Sequence, residues 1–242
     1  MASLIQCERS GEGTAITINR ADVGGLVTDE MALELAGMID AAAATSKYIV
    51  YRSAGTDFCL GRDRGANPYA PAKDPLAFRS NSETIFGFYD AFRRSRIPVI
   101  GVVQGRALGF GCAVAALCDI TIAAEDARFA LPEMGHRIMP TIAMSSLVDR
   151  VTRKGILYLT YSTREIDAWT ALAHGLVSLV VPRGNLETEL EYVTSAITKA
   201  PMPAVLAAKE YAREALDMDV RSAAIFAATL HATVNTSPQM RE

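Results

Sequence analysis

The stretch GRALGFGCAVAALCD, from Gly105 to Asp119, decides how the rest of the chain is interpreted. Two of its glycines lie within an uncharged apolar segment, Ala107 to Cys118, whose composition predicts a short buried helix. Glycines before a helix can shape a loop around a phosphate, or they can let the first amides of the helix approach another kind of ligand atom. These two interpretations predict different functions, and the spacing of the glycines distinguishes them.

The spacing disfavours a nucleotide phosphate. A dinucleotide fingerprint needs two glycines and a third small residue at a fixed spacing directly after a strand. Gly109 and Gly111 supply the first two positions, but Val114 occupies the third, and residues 104–108 separate the strand from the first glycine. We therefore expect the first amides of this helix to hold an oxygen that becomes negative during a reaction, because they lack partners within the helix.

A second glycine loop predicts another backbone donor. The segment FCLGRD, Phe58 to Asp63, follows a predicted strand, and Gly61 permits close approach of the backbone. Two amides that converge on one oxygen form the usual oxyanion-binding arrangement. Together the two loops predict an anion-stabilising cleft, whereas either loop alone could simply reverse the chain.

Composition excludes several classes of protein. The 242 residues are 50% apolar, enough for a substantial core, and a net charge of −3 argues against nucleic-acid binding. No apolar run approaches the roughly 20 residues of a membrane span, and the N-terminus has no signal-peptide pattern. The four cysteines match no zinc or disulfide pattern, so we expect buried thiols, no metal and a cytoplasmic protein.

Alternating strand and helix patterns predict an α/β fold. Strands are predicted at LIQCE, TAITINR, KYIVYRS, IPVIGVVQG, DITIAA, ARFAL and GLVSLVV. Helices are predicted after Thr28, from Asp74 to about Arg94, and over most of the chain beyond Thr141, with two after Pro201. A soft boundary divides a core, residues 1–184, from a C-terminal helical region, residues 185–242, because predicted strands end there.

Three motifs in order resemble those of the crotonase (enoyl-CoA hydratase/isomerase) superfamily. They are FCLGRD, then VVQGRALGFGCAVAALCDITIAAEDARFALPEMG, then ALAHGLVSLVVP. The resemblance implies a spiral of ββα units with a helical C-terminal region that forms a homotrimer or a dimer of trimers. It also implies an acyl-CoA thioester as substrate, with coenzyme A as part of that substrate and no separate cofactor.

The resemblance also implies a set of site residues. By position, the amides of Leu60 and Phe110 are expected to form the oxyanion hole. Residues that border the two glycine loops are expected to bind the substrate, and these are Gly61, Arg62, Asp63 and Gly109. The cations that could neutralise coenzyme A phosphates are Arg62, Arg64 and Lys209, and the sequence does not select among them.

Proton transfer is expected to depend on one glutamate. Many members of the family carry two, but Ala113 occupies the first position and Glu133, in LPEMG, occupies the second. A single carboxylate can lift a proton from one carbon and return it to another, which favours double-bond isomerisation over hydration. His136, three residues later, is a candidate second acid or base, and with it hydration, thioester hydrolysis or carbon–carbon cleavage remain open. A non-catalytic acyl-CoA binder also remains open.

Overall fold

A six-stranded sheet forms the centre of the molecule. The computed structural model describes residues 3–63, 65 and 74–241. The sheet has the order β1-β2-β3-β4-β6-β9; β1 and β2 are antiparallel, and the other neighbours are parallel. Its strands are β1 (Ile5–Ser10), β2 (Gly13–Ile18), β3 (Tyr48–Ser53), β4 (Val99–Val103), β6 (Ile120–Ala124) and β9 (Leu179–Val181).

A small second sheet lies beside the first and carries the chain towards the glycine loops. Its three strands, in the order β5-β7-β8, are β5 (Arg106–Leu108), β7 (Arg128–Ala130) and β8 (Ile166–Asp167). Twice, a strand of the large sheet is followed by a strand of the small one, since β5 follows β4 and β7 follows β6. This repetition gives the strand–strand–helix pattern, and it confirms the predicted α/β class.

Helices cover both faces of the large sheet and continue beyond it. They are α1 (Asp29–Thr45), α2 (Pro75–Arg94), α3 (Phe110–Leu117), α4 (Thr141–Leu147), α5 (Arg153–Ser162), α6 (Ala168–Ala173), α7 (Leu186–Lys199), α8 (Met202–Glu214) and α9 (Val220–Asn235). The predicted starts of α1 and α2 are confirmed, and each is capped: the Thr28 side chain accepts a hydrogen bond from the Met31 amide, and the Asp74 side chain accepts one from the Leu76 amide. Local capping therefore sets where α1 and α2 begin.

The two faces of the large sheet bury separate apolar clusters. Helices α1, α2 and α3 pack on one face, and every residue of α3 is buried. On the other face, α7 contributes Leu186 and Leu190 to a cluster with Ile100 and Ile122. Helix α7 thus packs on the sheet although it follows the predicted boundary at residue 185, and that boundary stays a prediction.

Some details differ from the expectations. The predicted helix Ala107–Cys118 begins only at Phe110, because Ala107 and Leu108 pair with β7 as part of β5. The predicted strand GLVSLVV is shorter, Leu179–Val181, because the residues before it leave α6 in a turn with Gly175 at a positive φ of 83°. Cys59, Cys112 and Cys118 are buried as expected, but Cys7 is exposed on the outer strand β1, so that expectation was wrong for it. Within the described residues, no helix combines the length and apolar character needed to cross a bilayer.

Candidate active site

The two glycine loops contact each other directly. The Leu108 amide donates to the Cys59 carbonyl at 2.9 Å, which ties the chain before α3 to the loop 58–63. Helix α3 then passes so close that a Cβ on Gly111 would lie 2.1 Å from the same carbonyl oxygen. Only glycine fits at this approach, so glycine is required at position 111 for the loop and the helix to meet.

Glu133 lies against the first turn of α3. It follows Pro132 in the short 3-10 turn Glu133–His136. A Cβ on Gly109, the residue that precedes α3, would lie 2.7 Å from Glu133 Oε1, and Gly109 has a φ of +52°. The expected carboxylate is therefore next to the N-terminus of α3, where the helix dipole favours negative charge.

Phe110 begins α3, and its ring turns towards α2. The ring stacks on Phe88 at 5.6 Å between centroids and packs against Tyr89 at 5.9 Å. Because Phe110 is the first residue of the helix, no preceding helical turn supplies an acceptor for its amide. This amide and the Glu133 carboxylate thus flank the same glycine, an arrangement that can hold an oxyanion and move a proton.

The structure contradicts the assignment of the Leu60 amide. That amide donates to the Gly24 carbonyl at 2.9 Å, and the Leu60 side chain packs where a Cβ on Gly24 would lie. The Leu60 N–H is therefore already engaged within the chain. The expectation was wrong because the segment Gly24–Val27, remote in sequence, pairs with this loop.

The pairing between this loop and the segment Gly24–Val27 directs the amide of Arg62 away from that segment. Val27 forms a parallel bridge with Arg62. In this bridge the Val27 amide donates to the Gly61 carbonyl, and the Asp63 amide donates to the Val27 carbonyl. In a parallel bridge, the amide of the central residue points away from the partner strand. Among the described residues, no backbone carbonyl accepts a hydrogen bond from the Arg62 amide.

The side chains of Arg62 and Asp63 hold the loop in place. Arg62 donates twice to Asp29 at 2.5 Å, and Asp63 accepts from Arg20 at 3.1 Å. A hydrogen bond from the Gly65 amide, together with Arg20, lowers the pKa of Asp63 below its usual 3.8. Gly61, which precedes Arg62, has a φ of +138°, which is strained for residues other than glycine. Substrate binding by this set stays a prediction.

The other candidate cations fall outside the cleft or outside the described residues. Lys209 donates to Asp119 at 2.7 Å and to the Ile97 carbonyl at 2.8 Å, which holds α8 to the core. Both partners lie at the starts of β4 and β6, opposite the strand ends that lead to the glycine loops. Lys209 is therefore not brought to the site, and Arg64 lies outside the described residues.

His136 is exposed at the far end of the turn that begins with Glu133. Its expected role as a second acid or base stays a prediction. Tyr89 is not among the predicted site residues, because the sequence pattern of α2 indicates only an apolar helix face. Burial raises the pKa of the Tyr89 phenol above its ordinary 10.0, and the nearby Glu133 carboxylate raises it further.

Comparisons with known proteins agree with the fold. The sequence model described as Enoyl-CoA hydratase/isomerase matches residues 11–242. The chain is 28% identical over 217 residues to the Crotonyl-CoA hydratase of Syntrophomonas wolfei. The aligned region covers 88% of this chain and 82% of that protein. It is 29% identical over 227 residues to the Short-chain-enoyl-CoA hydratase of Clostridium acetobutylicum, covering 90% and 84%.

A solved structure shares the whole architecture. The crystal structure of an enoyl-CoA hydratase from Mycobacterium smegmatis matches with a TM-score of 0.91 at 26% identity, covering 98% of this chain and 93% of that one. The crystal structure of human enoyl Coenzyme A hydratase domain-containing protein 3 matches with a TM-score of 0.90 at 22% identity and supports the fold alone. Since the family model extends over nearly the entire sequence, the chain belongs to the enoyl-CoA hydratase/isomerase family of the crotonase superfamily.

Proposed function

We propose that this acyl-CoA enzyme shifts a carbon–carbon double bond through a thioester enolate. The amides of Phe110 and Arg62 hold the thioester oxygen as it becomes negative, and Glu133 carries the proton. The single observation that carries the proposal is the contact between Glu133 Oε1 and the position a Cβ would take on Gly109. It sets the one expected carboxylate beside the helix amide that would bind the oxygen.

The proton balance needs only that one carboxylate. The ionised Glu133 removes a proton from the carbon next to the thioester of a 3-enoyl-CoA, and the C–H electron pair moves into a dienolate. The two amides stabilise the negative oxygen, a contribution of about 3 kcal/mol for each donor in comparable sites. The protonated Glu133 then returns the proton two carbons away, which gives the 2-enoyl-CoA and the ionised carboxylate.

The residue at the usual position of the second glutamate supports isomerisation. Ala113 lies in the middle of α3, is fully buried and can carry no proton. Hydration of a 2-enoyl-CoA also requires a group that positions and deprotonates water. Hydration is the second candidate, because the relatives from Syntrophomonas wolfei and Clostridium acetobutylicum are named hydratases.

The variant Glu133→Gln tests the proposal. It keeps the size of the side chain and removes its acid–base chemistry, so we expect turnover to fall about 100- to 10,000-fold while acyl-CoA binding persists. Isomerisation is measured with 3-enoyl-CoA in deuterated water, and binding by calorimetry. The matched control is Glu125→Gln, because Glu125 is exposed after β6 and remote in sequence from both loops.

The products distinguish the reactions. A 2-enoyl-CoA formed from 3-enoyl-CoA supports isomerisation, whereas a 3-hydroxyacyl-CoA formed from 2-enoyl-CoA identifies a hydratase. Release of free coenzyme A identifies a hydrolase. Turnover that persists in Glu133→Gln contradicts the assigned role of Glu133, and tight binding without any product identifies a binding protein.

A further inference from the structure

A buried tyrosine on α2 borders the site. Tyr89 is 2% exposed, and its ring packs 5.9 Å from the ring of Phe110, the residue that begins α3. Phe110 follows Gly109, against which the Glu133 carboxylate lies. The Tyr89 side chain thus carries a hydroxyl into the buried cluster, near the end of α3 where the reaction is proposed to occur.

Several charged or titratable groups that influence the Tyr89 phenol belong to the site. After burial, the groups that act on its pKa are Glu133, Cys59 and Cys112, which raise it, and Arg62, which lowers it. These groups come from the loop 58–63, from α3 and from the turn after β7. The phenol is therefore within electrostatic range of all three segments, and it stays protonated at neutral pH.

The other groups around it are poor donors to a carboxylate. Burial raises the pKa of Cys59 to about 12, and burial together with Glu133 raises that of Cys112, so both remain weakly donating thiols. The Arg62 guanidinium is held by Asp29 through two hydrogen bonds. His136, on the same turn as Glu133, is exposed. Of this set, the Tyr89 hydroxyl is the strong neutral donor in the buried part of the site.

We propose that Tyr89 is a positioning residue for Glu133, whose ionised carboxylate accepts a hydrogen bond from the Tyr89 hydroxyl in the substrate-loaded cleft. A buried carboxylate that is deprived of water favours its neutral form, which cannot remove a proton. A neutral donor offsets part of that effect without trapping the carboxylate as a fixed cation would. Hydrogen bonds of this kind commonly tighten only when substrate binds. This inference rests on the proposed function of Glu133.

The variant Tyr89→Phe tests the role, because it keeps the ring and removes only the hydroxyl. The matched control is Tyr51→Phe: Tyr51 is equally buried, packs on Phe58 and Phe92, and is influenced by Cys59 and Cys118. We measure kcat and kcat/KM against pH for each variant, with thermal unfolding as the check on folding.

We expect Tyr89→Phe to lower kcat about 10-fold or more, since hydrogen bonds to charged groups are the stronger kind. The acidic limb of kcat/KM should move to higher pH by about one unit, because the ionised Glu133 loses a donor. Tyr51→Phe should leave the limb in place. If the acidic limb of Tyr89→Phe does not move, the role of Tyr89 is overturned, while the role of Glu133 can still stand on the loss of turnover in Glu133→Gln. If turnover survives in Glu133→Gln, the roles of Glu133 and Tyr89 are both overturned.

Discussion

Helices α3 and α9 have similar compositions and opposite environments. Both are rich in alanine and other apolar residues, yet all eight residues of α3 are buried and none of the 16 residues of α9 is. The difference arises from their places in the chain. Helix α3 lies between β5 and β6, and α2 and α4 pack against it, whereas α9 follows α8 beyond the sheet. An apolar composition therefore favours burial of a helix, but burial also requires neighbouring elements that pack against it.

The difference in burial between α3 and α9 corresponds to different proposed roles for the two helices. The buried helix presents its first amide beside Glu133, in surroundings that hold both groups at a set distance. The outer region instead exposes large apolar side chains, among them Leu216 at 78% and Val220 at 88%. We propose that further copies of this chain cover α9, in a homotrimer or a dimer of trimers.

Among changes in these two helices, the largest effect is expected at the first residue of α3. Proline lacks an N–H and is well tolerated at the first helical position, so Phe110→Pro removes the proposed oxyanion donor. Phe110→Ala keeps the amide and loses the same ring packing. We expect kcat of Phe110→Pro to be about 100- to 1,000-fold below that of Phe110→Ala. Circular dichroism checks that both variants fold, and equal kcat values would remove the Phe110 amide from the mechanism.

A smaller effect compares packing in the two helices. Ala115 is fully buried in the middle of α3, so Ala115→Leu should overpack the core and lower the free energy of unfolding by about 1–3 kcal/mol. The matched change Ala224→Leu, at an exposed position of α9, should cost less than about 0.5 kcal/mol in a dilute, dissociated chain. Denaturant unfolding measures both. Equal losses would contradict the difference in environment between the helices.

The smallest effect on the stability of the single chain is expected for Ile225→Asp. Ile225 is 60% exposed on α9, so a charge there should change the free energy of unfolding of one chain by less than about 0.5 kcal/mol. In the proposed assembly the same charge would be buried against a partner, and the assembly should dissociate. Light scattering measures the mass before and after the change. A wild-type protein with the mass of one chain contradicts the assembly.

Much of the architecture could be predicted because it depends on neighbours in sequence. Caps and apolar spacing predicted the beginning of α1 at Thr28 and the extent of α2, Pro75–Arg94, since both signals act within one or two helical turns. Glu133 was named by the family resemblance; the structure places its carboxylate against Gly109, and its role in the reaction stays a prediction. Tyr89 was not recognised, because the apolar spacing that predicts a helix face cannot show which polar atom on it meets the cleft.

Local sequence therefore determined most of the helices and strands and the buried character of α3. Only the tertiary structure decided which amide of the loop 58–63 is available. That choice depends on pairing with the segment Gly24–Val27, which engages the Leu60 amide and directs the amide of Arg62 away. Backbone amides donate to whichever carbonyls the fold brings near. The residues of the loop 58–63 therefore do not by themselves encode which carbonyl becomes the partner.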